Sequence, residues 1–121
     1  MSPENARVFL VEDNNRKRGL IIEVLEDAGH KIGLVATSLP EALKLIDKLR
    51  KERINVAIVD GSLDPDISNT DDGETIAEEI KSKFPEITVI GHAYEDGLRN
   101  ADHNSPKING ILALADLVTK V

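Results

Sequence analysis

The chain has 121 residues, 40% of them hydrophobic and 31% charged, which is the size and composition of one soluble globular domain. A formal net charge of −7 argues against direct binding to a nucleic-acid backbone, and 2% aromatic residues provide little for base stacking or a flavin sandwich. The sequence has no cysteine, no apolar run long enough for a membrane span and no signal-peptide pattern at its N-terminus, so we expect a cytoplasmic protein that contacts no membrane.

Short apolar runs alternate with amphipathic stretches along the whole chain. In chain order the pattern predicts a strand at 6–13, a helix at 14–29, a strand at 31–37, a helix at 38–52, a strand at 54–60, a helix from 72 to 84, a strand at 87–93 and a helix at 108–121. Strands that are apolar on both faces and separated by helices predict a doubly wound parallel sheet, an α/β/α domain of three layers. We find no linker or repeat and therefore predict one domain over residues 1–121.

Helix boundaries and buried faces follow from the same pattern. Ser38 and Glu41 have the spacing of a capping box, and Gly29 is expected to terminate the first helix. The apolar stripes of the helices also place Leu20, Leu43 and Leu112 on buried faces.

Acidic residues stand at the ends of two predicted strands. Glu12 and Asp13 close the first strand, and Asp60 closes the third. Ligand sites in open parallel sheets lie at the carboxyl ends of the strands, where the strand order reverses. If the first and third strands are neighbours, the three carboxylates converge, and a hard divalent cation such as magnesium would relieve their mutual repulsion.

Three stretches of the sequence carry a resemblance to a known family. "VFLVEDNNRKRGLIIEVLEDAGHKI", "NVAIVDGSL" and the "SPK" ending at Lys107 make nearly the whole chain resemble the receiver domain of two-component response regulators. The resemblance implies a flavodoxin-like (CheY-like) sheet of strand order 2-1-3-4-5 and an aspartyl phosphate on Asp60, formed with a histidine kinase or phosphotransfer protein as partner. It further implies that magnesium is held by Glu12, Asp13, Asp60 and the backbone carbonyl of Ser62, and that Lys107 pairs with the phosphoryl group.

The activity implied is that of a phosphoacceptor in signal transduction and not of an enzyme with a separate substrate, although a receiver takes part in its own phosphorylation and dephosphorylation. Ser62, two residues after Asp60, would border the path of the hydrolytic water. A different interpretation of Lys107 is a solvated lysine in the first turn of a helix, with Ser105 and Pro106 as its cap and first residue.

The sequence departs from the family pattern around the fourth strand. Receivers place threonine or serine at the end of this strand, and here either His92 or Ala93 takes that switch position. An imidazolium at His92 would donate to a phosphoryl oxygen, and the competing interpretation is a capping or simply exposed histidine. His92 and Lys107 are 15 positions apart (107 − 92), and the intervening residues have almost no apolar face. We therefore expect a short or absent fourth helix and a weak fifth strand, with Asn104 where the family usually has an aromatic residue.

The stretch after Asp60 is the other departure, because "GSLDPDISNTDDGE" at 61–74 is longer than the usual turn. Its acidic residues suggest calcium, but Asn69 and Thr75 replace the glycine and glutamate of an EF-hand loop, and we favour a polar loop.

Three functions compete on these observations. The first is a phosphorylatable receiver that switches protein contacts, and the second is a pseudo-receiver, an interaction module with the same fold that phosphorylation does not regulate. The third is an enzyme, a small phosphatase or transferase with an aspartate nucleophile, which the sequence disfavours because Ser62 stands where dehalogenase-type phosphohydrolases need a second aspartate.

Overall fold

The computed structural model describes residues 6–60, 71–93 and 98–121. These residues form the strands β1 (Arg7–Val11), β2 (Lys31–Ala36), β3 (Val56–Asp60), β4 (Thr88–His92) and β5 (His103–Asn104), and the helices α1 (Asn15–Asp27), α2 (Leu39–Ile46), α3 (Asp71–Lys83) and α4 (Gly110–Lys120), the last preceded by a 3₁₀ turn at Lys107–Asn109. All strand pairs are parallel and the sheet order is β2-β1-β3-β4-β5. The predicted doubly wound sheet and its strand order are confirmed.

Each face of the sheet has its own apolar core, because alternate residues of a strand point to opposite faces. On one face Phe9 of β1 and Ala57 of β3 pack with residues of α2 and α3. On the other face Leu10 and Ile58 pack with Ile21 of α1 and with α4. Burial on both faces is the reason that the strands are apolar at nearly every position.

The predicted helix ends are accurate for α1 and only partly so for α2. Gly29 follows α1 with φ 94°, a left-handed conformation that glycine adopts without strain. The Ser38 hydroxyl caps α2 by accepting from the Glu41 backbone N–H at 3.3 Å, whereas the Glu41 carboxylate accepts from the N–H of Thr37 and not of Ser38. The helix ends at Ile46 and the chain continues as turns, so the predicted extension of the helix to residue 52 is wrong.

Three apolar residues that the helical stripes placed in the core are exposed. Leu20 and Leu43 are exposed, and Leu112 retains 73% of its accessible surface. With 3.6 residues per turn, a neighbour one position along points about 100° away. Ile21 therefore takes the core position beside Leu20, and Leu114 takes the one that Leu112 was expected to fill.

The connection between β4 and β5 contains no helix in its described residues, 93 and 98–102, and β5 has two residues. The expected weak fifth strand is confirmed, and so is the shortening before it. Among the described residues, no helix combines the length and the apolar character that a bilayer crossing requires.

Asn104 organises this short connection. Its Oδ1 accepts from the Leu98 backbone N–H at 2.8 Å, and its Nδ2 donates to the Leu98 carbonyl at 3.2 Å. The Leu98 side chain is thereby pressed against β4 and is only 2% exposed. Gly91 makes room for it, because a Cβ there would lie 2.9 Å from Leu98 Cγ. Leu98 thus covers this part of the sheet.

Salt bridges tie the same connection to α3. Lys81 Nζ lies 2.8 Å from Asp102 Oδ2 and also donates to the carbonyls of Pro85 and Ile87. Asp102 Oδ2 accepts in addition from the Val89 backbone N–H. The start of β5 is therefore fixed by side chains as well as by its short ladder.

Candidate functional site

Three carboxylates meet at the carboxyl ends of β1 and β3. These strands are neighbours with Val11 opposite Val59, so Glu12 and Asp60, one residue further on, end the two strands side by side. Glu12 and Asp60 are buried and Asp13 is half-buried. One ligand oxygen from each of the three lies within 4.8 Å of the others. The structure therefore brings together the acidic residues that the strand-end argument selected.

Burial disfavours the ionised form of the Glu12 carboxyl. Desolvation, followed by hydrogen bonding to Asp60 and by the negative charge of Asp60, raises the Glu12 pKa from its ordinary 4.5 to about 8. The Asn14 backbone N–H, which donates to Oε2 at 3.3 Å, and the charge of Lys17 act in the opposite direction. Among the described residues no group hydrogen-bonds to Oε1, although that atom is buried.

Lys107 supplies a cation to this cluster. Its Nζ lies 2.7 Å from Asp60 Oδ1, and the two side chains are 11% and 2% exposed. The backbone carries the lysine to this position, since Ser105 N donates to Gly91 O at 2.8 Å and Lys107 N donates to Ala93 O at 2.7 Å. A solvated lysine does not describe this geometry, and the 3₁₀ turn begins after Pro106 with no side-chain cap from Ser105.

His92 is the last residue of β4, the strand next to β3. It lies opposite Asp60 in the β3–β4 register, and Ile90, two residues earlier on β4, belongs to the same core as Ile58. His92 therefore points to the same face of the sheet as Asp60. Ala93, one residue further on, accepts the bond from Lys107 N through its carbonyl.

The surroundings of the His92 ring are unequal on its two sides. The residue is 1% exposed, Nδ1 lies 3.0 Å from the Ser105 carbonyl oxygen, and no described group hydrogen-bonds to Nε2. Burial lowers the pKa of His92, the hydrogen bond to Ser105 raises it, and the charges of Lys17 and Lys107 lower it further. The Ser105 carbonyl therefore holds one side of the ring, and burial disfavours its charged form.

Sequence reasoning missed two supporting contacts. Asn14 caps α1 through its side chain and donates its own N–H to Glu12, and an asparagine directly before a helical stripe is a recognisable N-cap signal. The role of the Ser105 carbonyl depends on how the chain turns after β5, and no sequence pattern indicates it. Ser62 and the rest of the 61–70 stretch, where a polar loop was favoured over a calcium site, lie outside the described residues.

Comparison with known proteins identifies the fold. The chain matches no protein-family model, and the curated proteins contain no match to it. Among solved structures it is similar to a response regulator receiver domain from Clostridium thermocellum, with a TM-score of 0.75, 24% identity and coverage of 95% of this chain and 92% of that one. It is also similar to the chemotaxis protein CheY4 of Vibrio cholerae, with a TM-score of 0.73, 19% identity and coverage of 96% and 98%. The chain has the receiver-domain fold.

A further receiver structure is similar to the chain in fold. The isolated REC domain of RcsB from Salmonella enterica, determined in the presence of the phosphomimetic BeF₃⁻, matches with a TM-score of 0.60, 22% identity and coverage of 93% of this chain and 72% of that one. Because one fold can host several functions, the chemistry has to be argued from the residues of the site.

Proposed function

We propose that this receiver domain accepts a phosphoryl group on Asp60 from a histidine kinase or phosphotransfer protein in the cytoplasm and then changes its protein contacts. The observation that carries the proposal is the buried Asp60 carboxylate at the end of a central strand, contacted by Lys107 and adjacent to two further carboxylates. The phosphomimetic in the similar RcsB structure is consistent with this use of the fold.

The donor set fits magnesium. Mg²⁺ prefers carboxylate oxygens together with water and phosphate oxygens, and Glu12, Asp13 and Asp60 would hold it. The buried Glu12 Oε1, without a partner among the described residues, is the kind of atom that a cation would satisfy. The fourth ligand that the family resemblance implies, the Ser62 carbonyl, belongs to the stretch outside the described residues. When bound, the ion would neutralise charge on the transferring phosphoryl group.

Asp60 and Lys107 have different roles in the phosphoryl transfer. An Asp60 carboxylate oxygen attacks phosphorus, the bond from phosphorus to the donor atom breaks with its electron pair going to the donor, and an acyl phosphate forms. The Lys107 ammonium, which pairs with Asp60 Oδ1 in this structure, would then form an ion pair with a phosphoryl oxygen. Such transfers need mainly positioning and charge neutralisation, both of which the site can supply.

Phosphorylation by acetyl phosphate tests the proposal directly. With Mg²⁺ present, the wild-type chain is expected to gain the mass of one phosphoryl group, and hydroxylamine should remove it as it does other acyl phosphates. Asp60→Asn should abolish the label, whereas Asp116→Asn, which changes an exposed aspartate on α4, should retain it. A label that persists in Asp60→Asn would contradict the assignment of Asp60.

An interaction module that phosphorylation does not regulate is the second candidate. The contacts of Asn104 and Asp102, which fix the β4–β5 connection in this structure, favour it. Thermal melting during a magnesium titration separates the two candidates. The phosphorylatable receiver is expected to melt at a higher temperature in millimolar Mg²⁺, and the unregulated module is expected to show no change.

A further inference from the structure

The peptide that joins Glu12 to Asp13 lies just beyond the sheet. β1 ends at Val11, which pairs with Ala36 of β2. The Glu12 N–H still donates to Ala36 O at 3.1 Å, but the next peptide, between the two acidic residues, has left the strand. Because a peptide is planar, its rotation sets the directions in which the side chains on both sides of it leave the backbone. The orientation of this one plane therefore governs how two of the three carboxylates converge.

Arg18 holds this peptide from the first turn of α1. Its Nη1 donates to the Glu12 carbonyl oxygen at 3.0 Å, and its Nη2 donates to Asn15 Oδ1. The guanidinium is a rigid planar group, so bonds to two different acceptors fix its orientation as well as its position. Arg18 is half-buried, and a hydrogen bond from a charged donor is stronger than one between neutral groups. The Glu12 carbonyl is thus held by a side chain that is itself fixed to the helix.

The first turn of α1 is an unfavourable place for an arginine. The N–H groups at a helix N-terminus carry partial positive charge, which disfavours cations there. α1 nevertheless has Arg16, Lys17 and Arg18 in succession and no acidic residue in its first turn. In the described part of the chain no carboxylate forms an ion pair with Arg18. Its side chain contacts uncharged oxygen atoms, which indicates a geometric role and not charge neutralisation.

Positioning of the carboxylates is the role that these contacts fit. We propose that Arg18 is a positioning residue of the magnesium site, which holds the peptide between Glu12 and Asp13 so that both carboxylates are directed at an ion beside Asp60. This inference rests on the proposed function, because it needs the ion to bind there. The Asn14 N–H supports the same arrangement, since it donates to Glu12 Oε2 at 3.3 Å.

Charge and position predict opposite effects when Arg18 is removed. An arginine near a cation site repels the cation, so if only its charge mattered, its loss would tighten Mg²⁺ binding. If Arg18 positions the carboxylates, its loss weakens Mg²⁺ binding, because this small ion demands nearly ideal octahedral geometry of its ligands. The sign of the change in affinity therefore separates the two roles.

Arg18→Gln removes the guanidinium, and two further substitutions serve as matched controls. Arg16→Gln removes one charge from the same turn at an exposed position. Arg7→Gln removes an equivalent bond at the opposite end of β1, where Arg7 Nε donates to the Glu52 carbonyl at 2.9 Å. Mg²⁺ binding to each metal-free protein is measured by isothermal titration calorimetry, and stability is measured by urea unfolding.

We expect Arg18→Gln to bind Mg²⁺ at least about tenfold more weakly than the wild type, since groups that orient metal ligands contribute roughly 10- to 100-fold to affinity. Arg16→Gln and Arg7→Gln should bind Mg²⁺ at least as tightly as the wild type, although Arg7→Gln should also be less stable. In the acetyl phosphate reaction, Arg18→Gln should need more Mg²⁺ for half-maximal labelling of Asp60 and reach about the wild-type rate when Mg²⁺ is saturating. A general loosening of the fold would not produce this split.

Each outcome bears on a different claim. Mg²⁺ binding in Arg18→Gln that is as tight as in the wild type, or tighter, would overturn the positioning role and leave the proposed function intact. An equal loss of affinity in Arg7→Gln would also overturn it, by assigning the effect to stability.

Failure of the proposed function gives different results. Mg²⁺ binding without a label on Asp60 would overturn phosphorylation and leave the positioning role standing, whereas absence of Mg²⁺ binding by the wild type would overturn both. If Arg18→Gln fails to fold by circular dichroism, Arg18→Met takes its place, because it keeps an unbranched stem and has no donor. Weaker Mg²⁺ binding is again the expected result, and unchanged binding the contradicting one.

Discussion

The end of β1 and the start of β5 each place a carboxylate beside the sheet, and the two carboxylates have opposite electrostatic surroundings. Glu12 is buried next to Asp60, its pKa is raised to about 8, and its Oε1 has no partner in the described part of the chain. Burial would also raise the pKa of Asp102, but hydrogen bonds from Lys81 and from the Val89 N–H lower it below its usual value. Hydrogen bonds within the chain stabilise the ionised form of Asp102. At Glu12, the groups that favour ionisation do not offset burial and the charge of Asp60.

This difference separates a region whose polar groups pair with one another from the region where we propose that magnesium and a phosphoryl group bind. At the β4–β5 connection, polar groups pair with one another and the apolar Leu98 fills the space between them. At the β1–β3 end, the folded chain tolerates an unfavourable cluster of charge that an external cation or phosphoryl group would change. Uncompensated buried groups of this kind are typical of functional sites.

Removal of Leu98 should have the largest effect on the structural region. Leu98→Ala is expected to lower the free energy of unfolding by about 2 to 5 kcal/mol, because it leaves a cavity against Gly91. Leu112→Ala, at the exposed leucine of α4, should change stability by less than about 0.5 kcal/mol. Urea unfolding of both variants gives the comparison. Equal stabilities would show that Leu98 does not cover the sheet in solution.

The second-largest expected effect is a pH dependence of the free energy of unfolding that arises from Glu12. A carboxyl with a pKa of 4.5 when unfolded and about 8 when folded retains a proton in the folded state that the unfolded state releases. Without metal, its contribution to stability is therefore greatest below about pH 4.5, falls as the pH rises toward 8, and is constant above that. The expected loss is about a few kcal/mol at most.

Urea unfolding of metal-free protein between pH 5 and 9 measures this loss. Glu12→Gln should flatten the pH dependence, and Glu23→Gln, at an exposed position on α1, should leave it unchanged. Magnesium should stabilise the wild type more at pH 9 than at pH 5, because it favours the ionised cluster. A pH dependence that is the same in Glu12→Gln and the wild type would contradict the buried, proton-retaining state of Glu12.

The smallest effect is expected at Asn104. Asn104→Ala removes two hydrogen bonds to the Leu98 backbone and should lower stability by about 1 to 2 kcal/mol. Asn109→Ala, at an exposed asparagine whose side chain makes no capping bond, is the matched control. Hydrogen exchange at the Leu98 amide should become faster in Asn104→Ala alone. Unchanged exchange there would show that the asparagine does not fix the connection.

The helical stripes show the limit of sequence reasoning about packing. They correctly identify Ile21, Ala42 and Val118 as buried, but they also include Leu20 and Leu112, which are exposed. Periodicity restricts a buried face to an arc of the helix. The exact residues within that arc depend on the rotation of the helix against the sheet, which is set by the side chains of both layers.

In the candidate site, too, the sequence pattern predicts some features and tertiary packing determines the others. Sequence pattern alone was enough for the parallel sheet and for carboxylates at the ends of two strands, because apolar periodicity and the positions where apolar runs end are local properties of the chain. Tertiary structure placed His92 opposite Asp60, brought Lys107 onto Asp60 and gave Asn104 its two bonds to Leu98. These contacts depend on strand register and on the path of a short connection, which are settled when distant segments pack together and not by the residues next to them in sequence.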